Sequence, residues 1–267
     1  MRTSCYILIL SFIACAMSLL SCGSIIEDRG ECPCFLDVAL LRQSGEIFTE
    51  DKAWCSTWEG EANATKTVFA TVVGNDGLQT FDVPRCSVMS VVVSNLEPEG
   101  SRLATIVGNQ MTRLYVSRRD VNCSGDLAQV TFDSFEKRFV TVKFRLNDAA
   151  MPYREQLTVT LDGPYDGLSL PSMTAHHGTF NCTSGFGENG ETTLRIPPQG
   201  GPGLKASIRY GNNPPALFDL YRTMSDAGFD WKCDNLDDFE TVVGLNSVTG
   251  IIETTDWNIV TLENITY

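Results

Sequence analysis

Short runs of β-branched and aromatic residues, interrupted by Gly, Pro, Asn and Asp, dominate the hydrophobic pattern of the chain. Such runs are typical of antiparallel strands separated by turns, and helical periodicity is almost absent. In the first half they predict strands at 35–42, 65–74, 78–84, 87–96, 102–108, 113–121 and 128–132. Because so many short strands fall within about a hundred residues, we expect a β-sandwich.

A second set of strands begins after the break Asp133-Ser134-Phe135-Glu136, where 138–146 alternates between two faces. Further strands are predicted at 156–161, 178–182, 192–196, 204–210, 217–221, 241–245 and 248–253, with a last one after Trp257. Only 221–230 is predicted to be helical. The pattern therefore predicts an all-β protein of two antiparallel β-sandwich domains, 32–136 and 137–267, rather than one large barrel.

Two glycine-containing segments are interpreted as turns. Asn75-Asp76-Gly77 is a hairpin signal between the strands at 65–74 and 78–84, since these residues tolerate positive φ. The segment 185–190 matches the G-x-G-x-x-G spacing of dinucleotide-binding loops. That motif requires a following helix, and here a predicted strand follows, so we interpret the segment as a glycine-rich loop and expect no nucleotide.

The N-terminus has the order of a secretory signal: Arg2, then an apolar stretch at 6–20, then Cys22. The stretch is too short to span a membrane, which takes about 20 apolar residues. The residues before Cys22 resemble the bacterial lipobox, which implies that 1–21 are removed and that Cys22 carries lipid. Two or three acyl chains make such attachment stable. Segment 22–31 then forms a tether; an ordinary signal peptide with an incidental Cys22 is the alternative.

The charge of the chain argues against nucleic acid as a partner. The formal net charge is −13, and loss of Arg2 with the signal peptide makes it −14. Phosphate binding needs clustered Lys and Arg, whereas the densest basic pair, Arg118-Arg119, is followed at once by Asp120. An acidic body also stays off anionic lipid surfaces.

Seven cysteines follow Cys22, and an odd number cannot all pair with one another. Exported proteins normally form disulfides, but no regular spacing appears here, so reduced thiols are equally consistent with the sequence. As a zinc site, Cys32-Pro33-Cys34 lacks the usual two-residue spacer between the cysteines and a second pair of ligands. As a redox site, it lacks the thioredoxin-type sequence around the cysteines. We interpret it as the entry into a strand.

Other candidate chemistry is weak, and we expect no catalytic residue, metal or cofactor. His176 and His177 are adjacent, so on a strand they would face opposite sides; we expect a polar loop instead. An acidic cluster lacks the spacing of a calcium loop and is interpreted as a solvated turn. Its members are Asp234, Asp237, Asp238 and Glu240.

Four tryptophans offer a second possibility. If they were exposed on one face, they would form a platform for stacking sugars; most tryptophans, however, belong to cores. They are Trp54, Trp58, Trp231 and Trp257.

Both ends of the chain resemble one protein family. The start of the mature chain, Glu27-Asp28-Arg29 and then Glu31-Cys32-Pro33-Cys34, is similar to that of the FimB-type fimbrial anchor and assembly lipoproteins of Bacteroidetes. In the tail, Asp230-Trp231, 235–239 and Asp256-Trp257 resemble the C-terminal half of the same family. The resemblance implies two transthyretin-like β-sandwiches, a lipid anchor in the outer membrane and no enzyme activity.

The resemblance also implies how the chain meets its partners, the fimbrial shaft subunits. Members of the family join by strand addition, in which an extended segment of one subunit pairs with an exposed sheet edge of the next. In related stalk subunits a cut after an arginine opens the acceptor groove. A cut at Arg29 would release the lipid, so an anchor should keep this bond intact.

Two rival functions remain at the level of sequence. A surface glycan-binding lipoprotein would also be β-rich and lipid-anchored, but would expose aromatic side chains on one face. A β-sandwich hydrolase is the other. Sandwiches host many functions, so the fold does not choose among them.

Overall fold

The computed structural model describes residues 32–40, 52–59, 68–72, 78–104, 106–107, 110–246 and 251–260. The predicted signal peptide, Cys22 and the tether lie outside these residues. Strands make up most of the described chain, which confirms the all-β class. No helix in this part is both long enough and apolar enough to cross a membrane.

The strands of the first half are β1 (Cys34–Leu40), β2 (Lys52–Glu59), β3 (Val68–Val72), β4 (Leu78–Val83), β5 (Met89–Ser94), β6 (Arg102–Ala104), β7 (Ile106–Val107), β8 (Gln110–Met111), β9 (Tyr115–Val121), β10 (Leu127–Phe132) and β11 (Glu136–Lys137). Those of the second half are β12 (Val140–Leu146), β13 (Leu157–Ser169), β14 (Thr174–Gly185), β15 (Glu191–Ile196), β16 (Lys205–Tyr210), β17 (Ala216–Asp219), β18 (Asp238–Asn246) and β19 (Ile251–Val260).

The N-terminal sandwich packs a three-stranded sheet, in the order β10-β1-β4, on a five-stranded sheet, in the order β11-β9-β5-β2-β3. Strand β1 alternates, with Cys34, Leu36, Val38 and Leu40 buried. These side chains share one core with those of β2, β5 and β9, so the two sheets face each other. Alternate burial in β1 fixes its register, because a slip of one residue would expose this whole set.

This half differs from the sequence prediction in several details, of which two concern the order of the strands. Strand β2 was not predicted, although it is an interior strand of the five-stranded sheet, between β5 and β3. The hairpin predicted around Asn75-Asp76-Gly77 is wrong: β3 pairs with β2, whereas β4 pairs with β1 in the opposite sheet. The connection therefore crosses from one sheet to the other; residues 73–77 themselves lie outside the described part.

The C-terminal sandwich packs a sheet in the order β15-β12-β18-β19 on a sheet in the order β14-β13-β16-β17. Strand β12 runs antiparallel to β15 and parallel to β18. The β13–β14 hairpin is longer than predicted and carries register shifts around Tyr165. A 3-10 helix at Met151–Gln156 precedes it.

One α-helix, α1 (Leu220–Asp226), follows β17 and confirms the predicted helix, although it is shorter than 221–230. Its N-cap, Asp219, accepts a hydrogen bond from the backbone N–H of Arg222 at 3.0 Å. Leu220 and Met224 are buried on its inner face. The chain leaves the helix through Gly228, whose φ of +91° suits glycine.

The buried apolar residues form two cores, and the chain passes from the first to the second between Phe139 and Val140. The tip of β13 is the exception. It pairs with β6, with Leu168 opposite Leu103, and Leu168 and Leu170 are buried in the N-terminal core. The domain boundary near residue 136 stays a prediction, and strand β13 links the two cores.

Candidate functional site

The three-stranded sheet offers two regular edges. Strand β1 lies in its centre, parallel to β10 and antiparallel to β4, and neither outer strand has a second partner among the described strands. Strand β10 buries Ala128, Val130 and Phe132 and exposes the alternate residues. An edge of this kind presents unpaired backbone N–H and C=O groups.

The outer face of this sheet is part apolar and part polar. Phe35 and Leu127 lie opposite each other on β1 and β10, and they are 49% and 57% exposed. Farther along, Asp37 on β1 accepts hydrogen bonds from the Thr80 hydroxyl on β4 (2.6 Å) and from the Gln129 amide on β10 (3.2 Å). This ladder ties the three strands together.

The entry into β1 is held by Arg85. Its Nε donates to the carbonyl of Cys32 at 2.8 Å, Nη1 donates to the carbonyl of Ser124 at 3.3 Å, and Nη2 pairs with Asp126. Cys34 is the first residue of β1, so the interpretation of Cys32-Pro33-Cys34 as a strand entry is confirmed. Within the described residues, no group of three or more His, Cys, Asp or Glu is placed to hold a metal ion.

All seven cysteines that follow Cys22 are free thiols. Burial raises the pKa of Cys55 to about 12 and that of Cys182 to about 11. Burial, together with the neighbouring Cys34, raises the pKa of Cys123 to about 12. A thiol whose pKa is raised in this way stays protonated and is a poor nucleophile at neutral pH.

The acidic cluster was interpreted as a solvated turn, but Asp234 and Asp238 form ion pairs with basic side chains. Asp238 lies 2.6 Å from Lys137 Nζ and accepts the backbone N–H of Thr141 at 2.7 Å. Asp234 pairs with Arg138 at 3.1 Å. Lys137 is buried, and burial lowers its pKa while Asp238 opposes that shift. The cluster therefore holds down the segment where the chain passes between the two cores.

The two histidines lie on strand β14, so the predicted polar loop is wrong. As expected for a strand, they take different partners. His176 Nδ1 lies 2.7 Å from Asp166, whose other oxygen accepts from Arg102 of β6 at 2.8 Å. The His177 ring stacks on Tyr165 with a centroid separation of 4.5 Å.

The four tryptophans do not form one platform. Trp54 and Trp58 lie on β2, and Trp58 is buried. Trp257 lies on β19 and stacks on Phe239, whereas Trp231 follows α1 and stacks on Tyr221. The glycine-rich loop prediction is confirmed, because 186–190 is the turn between β14 and β15.

No family model matches this chain, and no curated protein matches its sequence. Solved structures do match it. The fimbrial anchor protein Mfa2 from Porphyromonas gingivalis has a TM-score of 0.59 and 10% identity, over 86% of this chain and 98% of that one. A proposed adhesin from Bacteroides ovatus has a TM-score of 0.56 and 12% identity, over 91% and 98%.

A proposed polysaccharide-binding protein from Bacteroides thetaiotaomicron has a TM-score of 0.54 and 10% identity, over 86% of this chain and 99% of that one. These proteins share the fold of this chain. Each match covers nearly the whole of the other protein, so both sandwiches are included. At such low identity the likeness establishes the architecture, and function has to be argued from the surface of this chain.

Proposed function

We propose that this chain is a lipid-anchored fimbrial subunit, an anchor or an accessory subunit, that joins neighbouring shaft subunits by β-strand addition. In this proposal Cys22 carries the lipid, 22–31 is the tether, and the two sandwiches stand at the surface of the outer membrane. The chain has no enzymatic role. Its fold, shared with a fimbrial anchor protein, and the family resemblance of its two ends both support the proposal.

The observation that carries the proposal is the unequal width of the N-terminal sandwich. Among the described strands, a sheet of three faces a sheet of five, and its outer strand β10 is regular and contains no proline. A donated strand beside β10 would satisfy the free backbone groups and cover more of the wider sheet. The exposed Phe35 and Leu127 would add an apolar contact on the outer face.

Lipid attachment is tested with Cys22→Ala. The variant is expected to leave the membrane fraction, to lose incorporation of radiolabelled palmitate, and to release fimbriae into the medium. A variant that stays in the outer membrane and keeps its label would contradict the anchor at Cys22.

Strand addition is tested by placing charge on the acceptor edge. Gln129→Lys and Thr131→Lys, both exposed on β10, are expected to reduce recovery of shaft subunits in a heat-sensitive, detergent-resistant complex, because lysine on an edge opposes strand pairing. The matched control is Thr179→Lys, exposed on the edge strand β14 of the other sandwich.

Equal recovery with all three variants would reject β10 as the acceptor. Recovery of polysaccharide-uptake proteins in place of fimbrial subunits, with surface fimbriae unchanged in Cys22→Ala, would reject the fimbrial role and favour a glycan-binding lipoprotein.

A further inference from the structure

A cleft of about 490 Å³ is lined by residues of the C-terminal half of the chain, and none of them belongs to the proposed acceptor strand β10. Five segments build it: Arg138 just before β12, the outer part of the β13–β14 hairpin, the loop that follows β15, Tyr221 of α1, and the chain beyond α1. Its lining includes Tyr165, His177, Gln199, Tyr221, Trp231 and Lys232. The volume lies within the range of small-molecule sites, about 300–1,000 Å³.

Aromatic rings form two sides of this cleft. Tyr221 and Trp231 are nearly parallel, with an interplanar angle of 7° and a centroid separation of 5.7 Å. On another side, Tyr165 and His177 are tilted by 34°. Tyr221 and Trp231 are half-buried and His177 is exposed. Aromatic side chains with polar tips suit a ligand that is part apolar and part hydroxylated.

Two glycines keep the cleft open beside Tyr165. A Cβ at position 200 would lie 2.9 Å from Cε1 of the Tyr165 ring, and one at position 201 would lie 3.1 Å from its hydroxyl. Any side chain at position 200 would push the ring from its place. The close approach of the 200–201 backbone therefore fixes the shape of this wall.

The lining also holds unused hydrogen-bonding capacity. Three buried side-chain polar atoms in the described residues lack a partner, and two of them, Gln199 Oε1 and Trp231 Nε1, belong to residues that line this cleft. Gln199 is 2% exposed, and its amide nitrogen donates to the carbonyl of Pro197 at 2.9 Å. A buried polar atom without a partner is costly, so a ligand hydroxyl that reaches either atom after a small side-chain rotation is favoured.

The charge of the lining is opposite to that of the chain. Arg138 and Lys232 line the cleft, and no carboxylate is among its described lining residues, although the chain carries a net charge of −13. Arg138 is already paired with Glu136 and Asp234. The ammonium of Lys232 is exposed at the rim and makes no ion pair with a described residue. It is therefore the group available to an anionic ligand.

We propose that this cleft binds an acidic saccharide. A pyranose ring presents C–H bonds on a flat face and hydroxyls around its edge, and so complements the Tyr221–Trp231 pair and the polar atoms beside it. A carboxylate on the ring would meet Lys232. A peptide is the poorer fit, because the lining comes from five separate segments and does not follow a strand edge.

The test uses the intact protein and a tetrasaccharide of alternating glucuronate and N-acetylglucosamine. Saturation-transfer NMR is expected to show magnetisation passing from the aromatic rings to the sugar, and calorimetric titration gives the affinity. Lys232→Gln should weaken binding about two- to fivefold, as expected for one exposed charge pair. The matched control Lys205→Gln, an exposed lysine on β16, should leave the affinity unchanged.

Two further variants test the aromatic wall. Trp231→Leu should abolish binding. Gly200→Ala is the second variant, used in case Trp231→Leu does not fold, and it should weaken binding by displacing the Tyr165 ring. Absence of saturable binding by the wild-type protein would overturn the proposal, as would equal affinity for a neutral N-acetylglucosamine tetrasaccharide or for an acidic peptide. None of these results bears on fimbrial assembly, since the cleft lies outside strand β10.

Discussion

At the residue scale, the pair of Lys137 and Asp238 is the most consequential charge contact. The lysine ammonium is buried and also donates to the carbonyl of Leu236 at 2.8 Å. Asp238→Asn would leave that ammonium without its contacting carboxylate, with only the more distant charge of Asp237 beside it. We expect a loss of about 3 kcal/mol in the free energy of unfolding. Urea denaturation followed by circular dichroism measures it.

The matched control for this prediction is Glu240→Gln on the same strand. Glu240 pairs with Arg145 at 3.4 Å, and both side chains are partly exposed, so the expected loss is below about 1 kcal/mol. Similar losses in the two variants would mean that the burial of Lys137 does not determine the effect.

Buried thiols predict a pH dependence in the alkaline range. Burial raises the pKa of Cys55 from 9.0 to about 12, so the folded protein retains a proton that the unfolded chain releases. The contribution of this thiol to the free energy of unfolding is complete below pH 9. It is lost as the pH rises towards 12, at about 1.4 kcal/mol per pH unit. Between pH 8 and pH 10.5, the stability difference between wild type and Cys55→Ala should therefore shrink by about 2 kcal/mol.

Urea titrations at the two pH values, in reducing buffer, measure this difference. Cys233→Ala is the matched control, because it removes an exposed thiol in place of a buried one. A constant difference for Cys55→Ala across this range would contradict a protonated, buried thiol.

At the scale of elements, alternation located most strands, and it failed where burial departed from alternation. Residues 55–58 of β2 are all buried, and its sequence mixes Lys, Ser and Thr with Trp, so no period of two is visible. In the β13–β14 hairpin, Gly163, Pro164 and Gly167 follow the predicted strand 156–161 and were not included in it. They lie instead at the register shifts, where the strand bends and continues.

Turn chemistry was misleading for a different reason. Asn75-Asp76-Gly77 favours a tight turn, but a local turn does not choose which strands pair. Strand β4 pairs with β1 and buries Phe81 and Val83 in the shared core. Long-range burial therefore decided the sheet order, which no local pattern contains.

The β13–β14 hairpin provides a prediction at this scale. A Cβ at Gly178 would overlap Oδ2 of Asp166, the carboxylate that links His176 to Arg102 of β6. Gly178→Ala must displace that carboxylate, and we expect a loss of about 1–3 kcal/mol in unfolding free energy. Thermal and urea unfolding measure the loss.

Gly185→Ala provides the matched control at the end of the same strand. Its added Cβ would have only Leu157 O at 3.9 Å for a neighbour, so the change should be neutral or slightly stabilising. The prediction is wrong if Gly178→Ala is tolerated equally well.

At the scale of the whole molecule, the sequence predicted the fold class but few of the residues of the candidate functional sites. The strand-rich pattern predicted an all-β chain, and the short motifs at its two ends suggested the family. Cys22 lies outside the described residues and stays a prediction. The cleft could not be predicted, because Tyr165, Gln199 and Trp231 are far apart in the sequence and meet only through the sheet order.

The two sandwiches share one strand, and this predicts how the molecule unfolds. Leu168 and Leu161 both lie on β13 and both are fully buried, but Leu168 packs in the N-terminal core and Leu161 in the C-terminal core. Substitution of either leucine by alanine should lower the free energy of unfolding by about 2–5 kcal/mol. Only Leu168→Ala removes a contact by which β13 links the two cores.

We therefore expect calorimetry to show a single cooperative transition for the wild-type protein and for Leu161→Ala, at a lower midpoint in the variant. Leu168→Ala should instead separate the N-terminal sandwich as an earlier transition, with the calorimetric enthalpy exceeding the van't Hoff enthalpy. If both variants unfold in one transition of equal midpoint, the tip of β13 does not couple the cores. If the wild-type protein already shows two transitions, the β6–β13 pairing is too weak to join the sandwiches into one cooperative unit.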